Sequence, residues 1–193
     1  MDRRLLAWAY AAHRRGNTLP GLWVFTDARR LADPRPAVAR LPIGLAGVVL
    51  RHDGEPGRAA LARDLARICR ARRLALVVAG DTRLAMALGA GVHLRAGRWP
   101  GVLRQRRRLN TSSAHNRADL VRARRAGAQL AFLSPVFPTL SHPGAATLGP
   151  TRWARLARAA HVPVGALGGV DGARIRRLPR RICHAVGGIG ALA

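Results

Sequence analysis

The sequence predicts an α/β fold, a compact (βα)8 TIM barrel whose final helix is missing or reduced. Two observations carry that expectation. Eight short apolar runs alternate with helical patterns, the order that parallel strands joined by right-handed crossovers require. Glycine pairs also follow the seventh and the eighth runs, the place where barrels often hold phosphate. An open doubly wound sheet shares the alternation, and the paired glycines favour closure. The 193 residues suit a single domain that buries a sizeable core.

Asp2 to Arg15 reads as a soluble amphipathic helix, not as a targeting signal, because its apolar core is short and interrupted by aromatics. Gly21 to Thr26 forms the first strand, closed by Asp27. Residues 33 to 42 hold three prolines and allow only a short helix. Ile43 to Leu50 is the second strand, ending at Arg51-His52-Asp53-Gly54. Pro56 to Arg72 is a helix with proline in its first turn and Leu61, Leu65, Ile68 and Cys69 along one face.

Leu74 to Val78 is the third strand, Thr82 to Leu88 a helix, and Gly91 to Leu94 a short fourth strand. Gln105 to Arg108 leads into a weak fifth strand that reaches Ser112-Ser113-Ala114-His115, and Asn116 caps the helix running to Arg125. Ala128 to Leu133 is the sixth strand, Thr151 to Ala160 a helix, and Val162 to Leu167 the seventh strand. Asp171 to Leu178 is a short helix, and Ile182 to Val186 the eighth strand, running into Gly187-Gly188.

The sixth strand stops at Pro135, which cannot donate to a ladder. The loop beyond it displays Ser134, Thr139, Ser141 and His142. Loops past the carboxyl ends of barrel strands are where chemistry is placed, and the same hydroxyls also suit a turn that satisfies its own backbone. The residues alone leave both readings open.

Composition limits the function classes. Lys plus Arg is 34 against 9 acids, a formal charge of +25. Every basic residue is arginine, which excludes Schiff-base chemistry on a lysine. Such a surface attracts polyanions non-specifically. The arginines are nevertheless scattered over most predicted helices, and aromatics make up only 4%, so a dedicated nucleic-acid surface lacks its stripe and its stacking platforms. Genome bias accounts for the arginine as well as selection does. Cys69 and Cys183 make neither a disulfide framework nor a metal spacing, and no apolar run approaches the length of a membrane span. A reduced, cytoplasmic protein is the simplest expectation.

Gly168-Gly169 and Gly187-Gly188 are the candidate phosphate seat. Glycines let the backbone approach closely and aim successive N–H groups at an oxyanion without lysine. The helix expected from Asp171 onward would add its positive end.

At this point the residues support a resemblance. Thr26-Asp27 ends strand one and Val48-Val49-Leu50-Arg51 ends strand two. Gly89-Ala90-Gly91-Val92-His93-Leu94 is strand four, and Ser113-Ala114-His115 follows strand five. Pro135-Val136-Phe137-Pro138-Thr139 follows strand six, and Val164-Gly165-Ala166-Leu167-Gly168-Gly169-Val170 contains strand seven. Together, over residues 21 to 190, they resemble the thiamine-phosphate synthase/TenI superfamily.

The resemblance implies a barrel that binds a thiazole phosphate. In the synthase branch an aminopyrimidine pyrophosphate ionises, and the thiazole nitrogen captures the cation, with Mg²⁺ on the pyrophosphate. Arg51 matches the pyrophosphate-binding arginine, Thr139 and Ser141 match a Thr-x-Thr after strand six, and Ser113 matches the serine after strand five. Gly169 and Gly188 match the backbone seat of the thiazole phosphate.

Departures are equally informative. After strand three the family's Asn-Asp is Ala79-Gly80, with Asp81 one place on. After strand four its Gly-Gln-x-Asp is Arg95-Ala96-Gly97-Arg98. A lysine beyond Arg51 has become Asp53, and the lysine after Thr-x-Thr has become His142. A hard divalent ion requires oxygen donors, so no metal ligand is assigned. The pattern resembles the TenI branch, where a histidine moves a proton to isomerise a thiazole carboxylate phosphate. His115 matches that catalytic position, and an imidazole near neutral pKa serves as both base and acid; capping the following helix is its alternative role. His93 reads as a packing or hydrogen-bonding histidine at a strand end.

The expectation is therefore a metal-independent thiazole tautomerase with catalytic His115. Arg51, Ser113, Thr139, Ser141 and His142 would line the substrate, and Gly168, Gly169, Gly187 and Gly188 would hold phosphate. The alternatives are a thiamine-phosphate synthase, which alone would need Mg²⁺, and a catalytically inactive regulatory or nucleic-acid-binding barrel. A homodimer is one way to cover the apolar surface left by a reduced last helix.

Overall fold

The computed structural model describes residues 2–105, 107–139 and 144–189. Eight parallel strands close on themselves in sequence order: β1 (Leu22–Phe25), β2 (Ala46–Leu50), β3 (Ala75–Ala79), β4 (Gly91–Leu94), β5 (Thr111–Ala114), β6 (Leu130–Leu133), β7 (Val164–Leu167) and β8 (Cys183–Gly188). Closure is made by β8 against β1, with Leu22 opposite Val186 and Trp23 opposite Gly187. Outside them lie α1 (Arg3–Arg14), α2 (Arg35–Ala39), α3 (Arg58–Ala71), α4 (Thr82–Ala87), α5 (Arg117–Arg125) and α6 (Gly149–Arg158). Among the described residues no helix joins β4 to β5, and none follows β8. No helix there is long and apolar enough to cross a membrane.

Strand alternation sorts the core into two layers. Val24, Val48, Leu50, Val78, Val92, Leu133 and Val164 face outward onto Leu5, Trp8, Leu65, Leu120 and Trp153 of the helices. Trp23, Phe25, Val49, Val77, Leu130, Phe132 and Ala185 fill the barrel's interior. Its centre is aromatic: Phe25 and Phe132 meet edge to face at 4.9 Å, Trp23 meets Phe132 at 5.6 Å, and His93 meets Phe25 at 5.5 Å. Such rings fit only because neighbouring inward positions are glycine. A Cβ on Gly47 would lie 2.6 Å from Trp23, one on Gly165 2.9 Å from Phe132, and one on Gly187 2.6 Å from Phe25.

That last contact corrects the expected end of the eighth strand. Gly187 and Gly188 continue the ladder instead of turning out of it, because Phe25 fills the place where a Gly187 side chain would stand. The second strand starts later than expected, since Gly44 takes a left-handed turn (φ +72°) before Ala46. The helix expected over Asp171 to Leu178 is a single 3-10 turn at Arg174–Arg177. Its leading amides are already taken: Asp171 accepts from Ala173 and Arg174, and Asp2, the N-cap of α1, accepts from Gly172. The positive helix end expected beside the phosphate seat is therefore absent.

Candidate functional site

Because all eight strands run parallel, their carboxyl ends share one rim. That topology places Arg51, Ser113, His115, Thr139, Gly168, Gly169 and Gly188 on the same face. Ser141 and His142 lie outside the described residues.

At the β7 corner, Gly168 and Gly169 are both left-handed, at φ +89° and +63°, a conformation that favours glycine. Neither has room for a side chain: a Cβ would lie 2.8 Å from Pro135 at Gly168 and 2.3 Å from the Pro138 carbonyl at Gly169. The loop after β6 is zipped onto this corner, with the Val136 amide donating to Leu167 O and the Phe137 amide to Gly168 O, each at 3.0 Å. Among the described residues the Gly168 and Gly169 amides donate to no other backbone group. Leu167 pairs with Gly187, so the β7 corner and Gly188 sit side by side. A Cβ on Gly188 would meet nothing within 4 Å. Thr139, half-buried and held by its own contacts, lies in the loop folded over this corner.

His115 follows β5. Its amide donates to Asp119 Oδ2 at 2.8 Å while Asp119's amide donates to Asn116 Oδ1 at 2.9 Å, so the helix cap uses His115's backbone and leaves its ring available. The ring is exposed, with Nδ1 3.0 Å from the Ser134 carbonyl at the end of β6. A carbonyl only accepts, so a bond to it puts the hydrogen on Nδ1 and leaves Nε2 as the base of the neutral ring, while the Ser134 hydroxyl lies 3.4 Å from the same Nδ1. Ser113 Oγ accepts from the Ala96 amide at 3.1 Å, and Ser112 Oγ from Gly97 at 2.9 Å. These bonds pin the left-handed turn of Ala96 and Gly97 to β5.

The β1–β4 side of the rim is ionic. Arg51 donates from Nε to Thr26 O at 2.9 Å and pairs through Nη2 with Asp27 at 3.0 Å. Burial pulls its pKa below the usual arginine value, against the opposing pull of Asp27 and Asp53, yet the guanidinium stays charged. Its amide donates to Thr26 Oγ1 at 2.9 Å, and that hydroxyl lies 2.9 Å from His52 Nδ1. Arg58, opening α3, donates to the Arg51 and Ala79 carbonyls and pairs with Asp53 at 3.4 Å and Asp81 at 3.7 Å. Arg95 pairs with Asp53 at 2.5 Å. Sequence reasoning missed Thr26, His52, Arg58 and the reach of Arg95. Their only signal was position: Thr26, His52 and Arg95 lie at or just past a strand end, and Arg58 opens the helix after β2.

His93 is buried beneath this rim, its Nδ1 2.8 Å from Thr111 Oγ1. Burial, with Arg51 and Arg95 nearby, pushes its pKa down to about 3, so it is a neutral packing and hydrogen-bonding residue, as its strand-end position predicts.

The carboxylates of this rim are engaged with arginine. Asp27, Asp53 and Asp81 are each paired with arginine, and Asp81 also caps α4 through the Leu84 amide. Among the described residues no three His, Cys, Asp or Glu side chains converge as a metal site.

Residues 25–192 match the thiamine monophosphate synthase family (TMP-TENI). A thiamine-phosphate synthase of Thiobacillus denitrificans is 33% identical over 170 residues, 81% of this chain and 79% of that protein. A thiamine-phosphate synthase of Geobacillus kaustophilus is 33% identical over 141 residues, 69% of this chain and 63% of that protein. Thiamine phosphate pyrophosphorylase from Pyrococcus furiosus shares the fold with a TM-score of 0.74 at 22% identity, over 91% of this chain and 88% of its own.

Proposed function

The chain belongs to the thiamine monophosphate synthase/TenI family, and on that premise we propose that it binds a thiazole phosphate and isomerises the ring by proton transfer at His115. The observation that carries this reading is the bond from His115 Nδ1 to the Ser134 carbonyl. It supports a tautomer with the hydrogen on Nδ1 and Nε2 as the base on the rim. The phosphate would rest on the Gly168 and Gly169 amides, with Gly188 beside them on the neighbouring strand. Nε2 takes a proton from the thiazole carboxylate phosphate, and the imidazolium so formed donates more strongly to Ser134 O. The same nitrogen then returns the proton at the other end of the conjugated system. Nothing is consumed, and no metal takes part in the step.

The test is isomerisation of thiazole carboxylate phosphate by the full chain in the presence of chelator. His115→Ala and His115→Asn should each lower the rate by about 10²–10⁴-fold, the usual contribution of a positioned acid–base group. Full activity in either variant removes His115 from the mechanism.

The names of the curated relatives favour a second reading, the joining of an aminopyrimidine pyrophosphate to the thiazole phosphate. Formation of thiamine phosphate from those two precursors would establish it over the first.

A further inference from the structure

A cavity at the amino-terminal end of the barrel, away from the rim, is used by neither reading. It spans about 400 Å³ between the turn that leads from α1 into β1 and the entries of β7 and β8, a volume on the scale of small-molecule sites. Ala12, Leu19, Pro163 and Cys183 give it an apolar part, and Arg15, Arg180 and Arg181 bring three guanidiniums to it. Among the described residues no Asp or Glu lines it.

The acids of the chain are all placed elsewhere. Asp27, Asp53 and Asp81 pair with arginine at the rim, Asp119 and Asp171 pair within their own turns, and Asp33 and Asp64 hold Arg35. Asp2 accepts from Arg4 and Gly172, and Glu55 lies in the loop after β2. Arg15, Arg180 and Arg181 are exposed, and among the described residues no ion pair or hydrogen bond engages their guanidiniums. One such arginine is a solvated surface residue. Three on one concave surface with no counter-charge focus a positive potential there and concentrate anions.

The frame of the cavity is tied down. Asn17 donates from Nδ2 to His184 O at 2.7 Å and accepts from the Leu19 amide at 3.3 Å, which fastens the turn carrying Arg15 to the strand that Arg181 leads into. The amides of Arg15, Gly16 and Asn17 engage the Ala12 and His13 carbonyls, so these carbonyls of the helix end are occupied instead of opposing an anion.

We propose that this cavity is a second ligand site, separate from the rim, for a small anion that carries two or more phosphoryl groups. Guanidinium forks take phosphoryl oxygens in pairs and keep their charge at any working pH, so three of them suit a diphosphate better than a single carboxylate. The occupant joins Arg15, ahead of β1, to Arg180 and Arg181, ahead of β8, across the seam where β8 closes the barrel on β1. Binding there adds a tie between the first and last strands. The site is independent of the thiazole reading.

The experiment is calorimetric titration of the full chain with inorganic pyrophosphate in EDTA, together with thermal melts over the same concentrations. Arg15→Gln and Arg181→Gln should each weaken binding roughly tenfold or more, the loss of a charge-assisted hydrogen bond. The melting temperature of the parent should rise with pyrophosphate, as binding to the folded state alone requires. The triple variant Arg15→Gln/Arg180→Gln/Arg181→Gln should lose that rise while melting like the parent without ligand. Arg83→Gln/Arg117→Gln, which removes exposed charge at the starts of α4 and α5, controls for diffuse attraction to a +25 protein and should bind as the parent does. Arg51→Gln, at the rim, should leave this binding in place.

Affinity that ignores Arg15 and Arg181, or that falls equally in the control pair, overturns the inference. Loss of all binding in Arg51→Gln overturns it too, because the ion then sits on the rim. Titration with ADP beside pyrophosphate identifies the source: tighter binding of ADP marks an organic diphosphate, weaker binding an inorganic one. Failure to bind thiazole phosphate with this pyrophosphate pattern intact removes the proposed function and leaves the cavity site standing.

Discussion

Trp23 and Gly47 face each other across the β1–β2 rung, and a Cβ on Gly47 would stand 2.6 Å from the indole. The indole is fully buried and its Nε1 donates to Pro20 O at 2.8 Å, so the ring is tethered and cannot slide aside. Gly47→Ala should therefore destabilise the barrel by about 1–3 kcal/mol, the usual cost of overpacking. Urea unfolding followed by tryptophan fluorescence measures it. Trp23→Phe in the Gly47→Ala background should restore part of the loss, and equal stability of Gly47→Ala and the parent would refute this packing.

His93 makes stability depend on pH. In the unfolded chain it titrates near ~6.5, and in the fold its pKa is pushed down to about 3. Between those values the unfolded chain takes up a proton that the folded chain refuses. Stability is therefore undiminished by His93 above the upper value and falls as pH drops through the window, by at most about 1.4 kcal/mol per pH unit. His93→Gln, which keeps a partner for Thr111, should flatten the decline between pH 7 and pH 4. An unchanged slope of urea midpoint against pH would contradict the assignment.

Burial pushes both thiols up to about 12, and neither cysteine is bonded to the other. The thiolate is the reactive form. Cys69 and Cys183 should thus resist a disulfide reagent at pH 8 in the native state and react fully in denaturant. Prompt labelling of the native chain would show that one of them is accessible.

How far the sequence anticipates this architecture depends on the range of the contact involved. The barrel is legible because each strand is an apolar run bounded by turn residues, and α5 is legible because Asn116 and Asp119 announce its cap locally. The end of β8 is not. Gly187-Gly188 looks like a turn until Phe25, on the neighbouring strand, is seen to need the empty position. The pairing of Thr26 with His52 spans 26 residues, and no local pattern reveals it. Replacement of two acidic positions is plain from the residues, but that Arg95 crosses to cover Gly80 follows only from the closed sheet. The tether of His115 to Ser134 appears only once β5 and β6 are paired.

Gly169 and Gly188 give the last prediction, because they differ in what surrounds them. At Gly169 a methyl group would meet the Pro138 carbonyl at 2.3 Å and the backbone is left-handed, so Gly169→Ala combines strain with a clash against the loop that carries Thr139. It should cost about 1–3 kcal/mol and weaken thiazole-phosphate binding at the same time. Gly188 has ordinary strand geometry and open space around its Cβ position. Gly188→Ala should leave the melting temperature alone while its methyl crowds the amides at the end of β8, so that affinity for thiazole phosphate falls without loss of fold. Thermal melts and titrations of the two variants separate the effects. Unchanged affinity in Gly188→Ala would confine the phosphate seat to Gly168 and Gly169.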